Sequence, residues 1–590
     1  LRADALEGLR RPRSWSATYT LSIRRAEPGK NWVTRAVLDP LAISANLTNG
    51  RGQTELSNSR SDASAVTLGY NLQLRRRGIR LPFGGIVRGL PKWLRSSEAG
   101  KGLDSASFSL IPSNVRWSSG LTRNKGEFTS YSVSVARPGD ENITPALSLT
   151  HLWRNSGGLT WQPLGMLTLT SDLTSTRDLR VYPDSTSLGR LAYQERRFFL
   201  GIPVGVERDR SLTTAIALTP RISSWLRPHF TTTSTFILSR TLTSRSPVRE
   251  GLDSGAFILP QTLNNSRGRE IGAALDLSRA LRQLWGDSSW VGKLVARIRP
   301  VDFSTQLNRS STYDLAAFDP NVGFMLGLGG LGDFLIHQGE PARGAAETRG
   351  ATLASGADLP FGLSATVAYS LTRTQRYQLV GEGNTETITR QREWPSGSLR
   401  WNRTFAHGPL SLVGLATTIR RREGTSFQPS ANGSVSESAT SSSTLNPSLQ
   451  LTFRNRLGML VGLTSQSQRT ESNGNATLLD QDEITGSLNY SFALPAALSK
   501  LRKQVRSNLT LLTSKTSTCL ERPTEPGCTV VSDVRRHEVR GGLDTDLLRN
   551  VSGGLQFGYS LNDVRHLSQR TSQIFVLMSF QLSLFAGDYR

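Results

Sequence analysis

From Ser14 to Arg25 the chain alternates. Trp15, Ala17, Tyr19, Leu21 and Ile23 fall on one side; Ser14, Ser16, Thr18, Thr20, Ser22 and Arg24 fall on the other. Successive side chains of a strand point to opposite faces, so this is a strand with one apolar and one polar face. The pattern returns at Val66, Leu68, Tyr70, Leu72 and Leu74. It returns at Leu147, Leu149, His151 and Trp153, and more weakly from Phe230 to Leu238. Near the end, Ile574, Val576, Met578, Phe580, Leu582 and Leu584 share one face, with Ser579, Gln581 and Ser583 opposite.

The polar face decides the class. A soluble β-sandwich of this size contains strands buried on both sides, and few such runs occur here. A transmembrane β-barrel requires alternation, because lipid covers one face and a wet lumen the other, and closure removes the exposed edges. The fold expected is all-β: a large antiparallel transmembrane β-barrel, or a large part of one. At ~22–25 residues per strand and connection it holds about two dozen strands. Trp15, Tyr19, Leu21, Ile23, Val576, Met578, Phe580 and Leu582 are expected to face lipid. Thr18, Thr20, Ser22, Ser579, Gln581 and Ser583 are expected to face the lumen. Trp15, Trp117, Trp153, Trp161, Trp225 and Trp401 fall near strand ends, as an interfacial girdle would; ordinary packing explains any one of them.

Composition narrows the alternatives. Hydrophobic residues make up 37% of 590, and 70 Lys+Arg stand against 46 Asp+Glu, for a net charge of +24. No run of ~18 apolar residues exists, which excludes a helical membrane protein. Leu, Val, Ile and aromatic residues recur throughout, which argues against disorder. The chain opens on Leu1 without a leader-like segment, so residues 1–590 are expected to form a single outer-membrane barrel region from a longer chain. Its two cysteines, Cys519 and Cys528, flank a Pro- and Gly-bearing stretch that reads as a loop tip over 519–528. A disulfide there needs an oxidising compartment; two free thiols are the alternative.

Long polar stretches at Tyr377 to Glu393, at the Ser-rich 429–447 and at Gln466 to Glu483 read as exposed surface loops. Leu90 to Arg95, Leu277 to Trp285 and Leu494 to Lys503 carry apolar residues at three- and four-residue spacing. They suggest short amphipathic helices, lying on the membrane surface or capping the rim. Trp117-Ser-Ser-Gly-Leu-Thr-Arg123 aligns with Phe303-Ser-Thr-Gln-Leu-Asn-Arg309, and Tyr369-Ser-Leu-Thr372 with Tyr559-Ser-Leu-Asn562. Each is an aromatic-bearing strand running into an Arg-bearing rim. The spacing is irregular, so this is hairpin duplication rather than a solenoid.

Leu38 to Arg76, Phe108 to Tyr131, Trp161 to Leu179 and Phe318 to Phe334 resemble the C-terminal part of the SprA/Sov family, the outer-membrane translocons of the type IX secretion system. The resemblance is one of strand texture over most of the chain. It implies part of a very wide barrel that passes folded cargo proteins across the bacterial outer membrane. It also implies, as partners, a shuttle barrel of the PorV type and periplasmic plug proteins. Charge departs from that pattern: it is carried almost entirely by Arg, with only eight lysines.

Little points to catalysis, and no enzyme activity is expected. Gly327-Leu-Gly329-Gly-Leu-Gly332 matches a dinucleotide fingerprint, but Pro341 ends any following helix within two turns and no βαβ unit surrounds it. A glycine-rich loop or strand bend fits better. His151, His229, His337, His407, His537 and His566 show no metal-ligand spacing. Neither metal nor cofactor is expected. Arg75-Arg76-Arg77, Arg420-Arg421-Arg422 and Arg535-Arg536 are short and far apart, unlike a nucleic-acid surface. Arginines at strand ends suit phosphates of outer-membrane lipid and lipopolysaccharide, lumenal carboxylates, or plain solvation. The function expected is a protein-conducting outer-membrane channel. The alternatives are a porin, a TonB-dependent receptor, a lipopolysaccharide-inserting barrel or a β-rich cell-surface scaffold.

Overall fold

The computed structural model describes residues 9–25, 27, 29–74, 79–80, 107–135, 140–195, 198–199, 202–220, 222–243, 245–249, 255–285, 295–316, 318–380, 383–429, 435–493, 504–548 and 551–582. One sheet of 21 strands dominates. Its strands are β1 (Arg13–Arg24), β2 (Leu41–Gln53), β3 (Ser57–Gln73), β4 (Asn114–Ser130), β5 (Ala146–Leu164), β6 (Leu167–Asp178) and β7 (Val206–Leu218). Then come β8 (Leu226–Ser239), β9 (Gln261–Leu275), β10 (Val301–Ala316), β11 (Gly344–Leu359), β12 (Leu363–Val380), β13 (Gly383–Thr404) and β14 (Leu410–Pro429). The rest are β15 (Val435–Phe453), β16 (Gly458–Ser472), β17 (Asn475–Ala493), β18 (Gln504–Arg522), β19 (Glu525–Leu548), β20 (Val551–Val564) and β21 (Gln569–Leu582). Among the described residues, four short α-helices lie between strands: α1 (Ser187–Gln194), α2 (Leu277–Trp285), α3 (Val322–Met325) and α4 (Leu331–Leu335).

Every strand of this sheet pairs antiparallel with its neighbours in sequence, so the sheet is an uninterrupted meander. Among the described residues, β1 and β21 each pair on one side only. Because 21 is odd, these two edge strands run in the same direction, and an antiparallel pair cannot form directly between them.

The chain exposes 38670 Å². A compact monomer of 64.5 kDa would expose about 20,000 Å². A single-layer sheet wetted or solvated on both faces accounts for the excess; a double-layered sandwich with a dry centre does not.

Three stretches expected to be long loops are mostly strand. Val435–Phe453 is β15, so most of 429–447 is paired chain. The 377–393 stretch belongs to β12 and β13, and 466–483 to β16 and β17. Their polarity signals water on both faces, not absence of a ladder: Ser and Thr are β-tolerant residues whose hydroxyls pair across strands. The connection between β16 and β17 is Asn473-Gly474, both at positive φ (51° and 79°), the conformation that a tight hairpin turn of the right twist demands. Cys519 and Cys528 are disulfide-bonded across the β18–β19 hairpin, each within its strand rather than at a loop tip. Leu277–Trp285 forms α2 as its spacing predicts. The 90–95 and 494–503 segments, the Arg75–Arg77 cluster and Ser583 lie outside the described residues.

Candidate membrane face and basic rim

Register shows which residues share a face. One row runs Leu363, Trp401, Leu415, Leu449, Val461, Gly486, Leu511, Val539, Tyr559 and Ile574 across β12–β21, each directly opposite the next. Leu21, Ala45, Val66, Leu121 and Trp153 form the corresponding row across β1–β5. Trp161, Leu169 and Ile216 link β5 to β7. Leu218, Phe230, Ile271, Thr305, Ala351 and Leu371 carry the same face through β7–β12. The result is one apolar band that crosses all 21 strands on a single face of the sheet. Its side chains are bare: Ile574 is 75% exposed and Val576 70%. Trp15, Tyr19, Leu21 and Ile23 stand on this face with Val576, Met578 and Phe580; the position of Leu582 follows theirs.

Thr18, Thr20, Ser22 and Ser579 stand on the other face, as does the position of Gln581. That face carries cross-strand hydroxyl pairs. They include Thr174–Ser211 at 2.6 Å, Thr366–Ser398 at 2.7 Å, Ser304–Thr352 at 2.8 Å and Thr18–Thr48 at 3.3 Å. Such pairs hold a sheet while leaving a hydrogen-bonding surface for water.

The two ends of the strands differ. At the end that carries the disulfide, the band face turns basic. A row one step beyond Ile271 and Leu371 reads Arg269, Leu307, Arg349, Arg373 and Arg390. Arg349 lies directly opposite Arg373, and Arg373 directly opposite Arg390. Like charges so placed repel. Glu347 takes Arg309 at 2.8 Å and Arg349 at 2.6 Å. Among the described residues, no carboxylate lies within ion-pair distance of Arg269, Arg373 or Arg390.

At that same end the β10–β11 connection folds back onto the band face. Phe318 and Phe324 pack edge-on against Tyr313 at 5.5 and 5.7 Å, and Phe236 meets Phe324 at 6.2 Å. Phe236, Leu238, Leu263 and Tyr313 are fully buried here. Asn321 caps α3 by accepting the Phe324 N–H at 2.7 Å. Asn265 donates to the Phe324 carbonyl and Tyr313 to the Phe334 carbonyl (3.1 Å), so the connection's own backbone accepts from two of the polar side chains it buries, while Asn265 Oδ1, Ser311 Oγ and His337 Nε2 are buried without a partner. The Gly327–Gly332 run joins α3 to α4 inside this connection and forms no strand–helix nucleotide cradle.

A second cluster, Leu191, Val206, Leu242 and Leu259, joins the β6–β7 and β8–β9 connections. Beside it Asp178 accepts hydrogen bonds from Arg180 and from the Tyr182 hydroxyl at 3.0 Å. Burial, followed by that carboxylate, pushes the Tyr182 hydroxyl up to about 12. No group of three or more metal-ligating side chains occurs among the described residues. The Arg–Arg rows escape sequence reading because their members lie 17 to 80 positions apart; only register joins them. Arg390 does lie in the 377–393 stretch whose polarity suggested a loop, and Arg373 lies four residues before it.

No family model matches this sequence, and no curated protein matches it. Among solved structures the chain is similar to the siderophore receptor PirA of Acinetobacter baumannii, at 9% identity over 88% of this chain and 80% of that one, TM-score 0.24. It is similar to the β-domain of the Bordetella autotransporter BrkA, at 10% identity over 41% and 92%, TM-score 0.17. It is also similar to the PapC translocation pore of the P pilus usher, at 8% identity over 89% and 98%, TM-score 0.14. Scores this low decide neither family nor activity, and the reading below rests on the sheet itself.

Proposed function

We propose that this chain forms the wall, or a large part of the wall, of a wide barrel in the bacterial outer membrane, and that the barrel conducts folded protein. The observation that carries this is a single apolar band crossing all 21 strands, backed on the opposite face by rows of Ser and Thr. Hydrocarbon covers the band, and water wets the hydroxyl face. No described helix is long and apolar enough to cross a membrane.

Size argues for protein as the cargo. Strands about 4.8 Å apart and tilted about 40° would close 21 strands into a cylinder roughly 40 Å across. The same-direction edges call for further strands, which widen it. Allowing for side chains, about 30 Å of lumen remains, comparable with a 100-residue domain of radius of gyration about 13 Å. A hydrated cargo crosses such a passage without losing its water shell. The resemblance to the SprA/Sov translocons supports a secretion channel, with cargo, periplasmic plug proteins and a PorV-type shuttle barrel as its partners.

The test has two stages. The chain should require detergent for extraction and migrate differently before and after heating. Its removal from cells should then trap folded secreted proteins in the periplasm. Monodisperse behaviour without detergent would instead identify a soluble surface scaffold. Unchanged secretion would leave a barrel with a different cargo.

A further inference from the structure

We propose that the basic rim across β11–β16 is a binding site for the phosphate groups of a phosphorylated glycolipid in the outer leaflet, whose acyl chains lie along the adjoining apolar band. This rests on the membrane reading above and adds the ligand and its contacts. Four observations converge. First, Arg349, Arg373 and Arg390 are exposed and stacked directly opposite one another on three adjacent strands. A β-sheet gains nothing from like charges in register; an anion between them turns that repulsion into attraction.

Second, a groove of about 350 Å³ opens beside the row. Arg390, Arg392 and Arg469 line it together with Glu423 and Glu471, and Leu371 stands at its apolar margin. Register places Arg390, Arg392 and Arg469 all on the band face. Guanidinium forks match phosphate oxygens in pairs, which lysine does not do.

Third, the site's own acids do not reach the middle of the row. Glu423 lies opposite Arg392 and pairs with Arg421 at 2.9 Å, Glu347 serves Arg309 and Arg349, and Arg469 pairs with Glu521 at 2.8 Å and Glu471 at 3.9 Å. Arg373 and Arg390 remain without a carboxylate partner among the described residues. Fourth, the row sits one two-residue step, about 7 Å, from Leu371 and two steps from Phe303, Leu353 and Tyr369. That is the depth at which lipid phosphates meet the hydrocarbon. Arg392 already leans over the Tyr369 ring, 5.8 Å from its centroid, as a residue does at an interface.

The same end of the sheet faces outward on this reading. β13 continues from Glu393 back to Gly383, about 35 Å past the band at 3.4 Å per residue. Long extensions of this kind belong to the outer side of such barrels, where turns are not held short.

The experiment reconstitutes the purified chain into bilayers of phosphatidylethanolamine containing bis-phosphorylated lipid A and measures, by native mass spectrometry, the lipid A retained after mild detergent extraction. Arg373→Gln, Arg390→Gln and Arg469→Gln combined should lower retention about tenfold or more, as expected for losing several charge-assisted bonds. The wild type should retain dephosphorylated lipid A as weakly. These side chains are exposed, so heat-modifiable migration should stay unchanged, and the single variant Arg390→Gln should show an intermediate loss. Wild-type retention by the triple variant overturns the site, as does equal retention of dephosphorylated lipid. Displacement by inorganic phosphate as effective as by lipid A would overturn the lipid as the ligand and leave a soluble-anion site. A chain that does not float with the bilayers at all overturns the membrane reading; a chain that floats but retains lipid A without dependence on these arginines overturns this inference alone.

Discussion

At the disulfide end, β7–β11 and β12–β19 solve the same problem in opposite ways. The first group stops after 13 to 16 residues, and the chain between its strands folds into helices and a dry cluster on the band face. Most of the second group runs on, to 24 residues in β19, with turns as tight as Asn473-Gly474. The difference follows from what each strand carries past the band. β8 carries Phe236 and Leu238 on the band face close to its end, apolar side chains that the connection covers. β13 and β15 carry Thr, Ser, Gln, Glu and Arg past the band on both faces, so they can stand bare in solvent. Stability on one side comes from packing, and on the other from the ladder and its hydroxyl and ionic cross-strand pairs.

The strongest way to break the comparison is Phe324→Ala. The ring is buried against Phe236, Tyr313 and Phe318, so truncation should cost about 3–5 kcal/mol. Because the loss falls on a connection, hydrogen exchange should accelerate across residues 318–343 and stay unchanged in β12–β19. Leu415→Ala on the exposed band removes no enclosed packing and should cost far less. Equal costs for the two would mean that the band, too, is covered by protein.

Phe580→Arg asks what covers the band. On the lipid reading the substitution near mid-membrane should cost about 2–4 kcal/mol, measured as a lower denaturant midpoint in bilayers. Ser579→Arg, one residue away on the hydroxyl face, should cost little. Indifference to Phe580→Arg would reverse the assignment of faces.

Reduction of Cys519–Cys528 acts only on the long-stranded side. Closing so short a loop is worth about 2–3 kcal/mol in the chain-entropy account. The hairpin beyond Ser517 and Ser532 should fray, with faster exchange there, while residues 318–343 keep their protection. Loss of protection in both regions would show that the two halves are not independent.

The legible and illegible parts of this fold divide along the same line. Alternation in Trp15–Ile23 and Ile574–Phe580 was readable because lipid and water demand opposite chemistries on one strand. Thr440, Ser441, Ser442 and Ser443 showed no such contrast, since water lies on both sides of them, and a solvated strand looks like a solvated loop. The Asn473-Gly474 turn was the available signal that a hairpin, not a loop, filled 466–483. The covering connection was illegible for another reason. Phe318, Phe324 and Phe334 are scattered at no strand or helix period, because they fill a shape set by three strands distant in sequence. The arginine rows depend on register alone, which no local pattern reports.

The smallest expected effect separates the two regions by pH. The His337 ring sits 4.1 Å from that of Phe324 and 5.1 Å from that of Phe318. Burial there lowers its pKa below the ordinary 6.5, with Asp333 pulling weakly the other way. The undocked connection therefore binds a proton more readily than the docked one. Docking is fully stable above about 6.5 and weakens as pH falls through the lower, docked value. Exchange across 318–343, corrected for its intrinsic pH dependence, should thus rise between about pH 7.5 and pH 5. That across β15–β16, which contain no histidine, should not. His337→Gln should remove the pH response of the connection while leaving its exchange at pH 7.5 near that of the wild type. Should the response survive that substitution, it does not arise from the imidazole, and the lowered affinity of His337 for its proton has no part in holding the connection down.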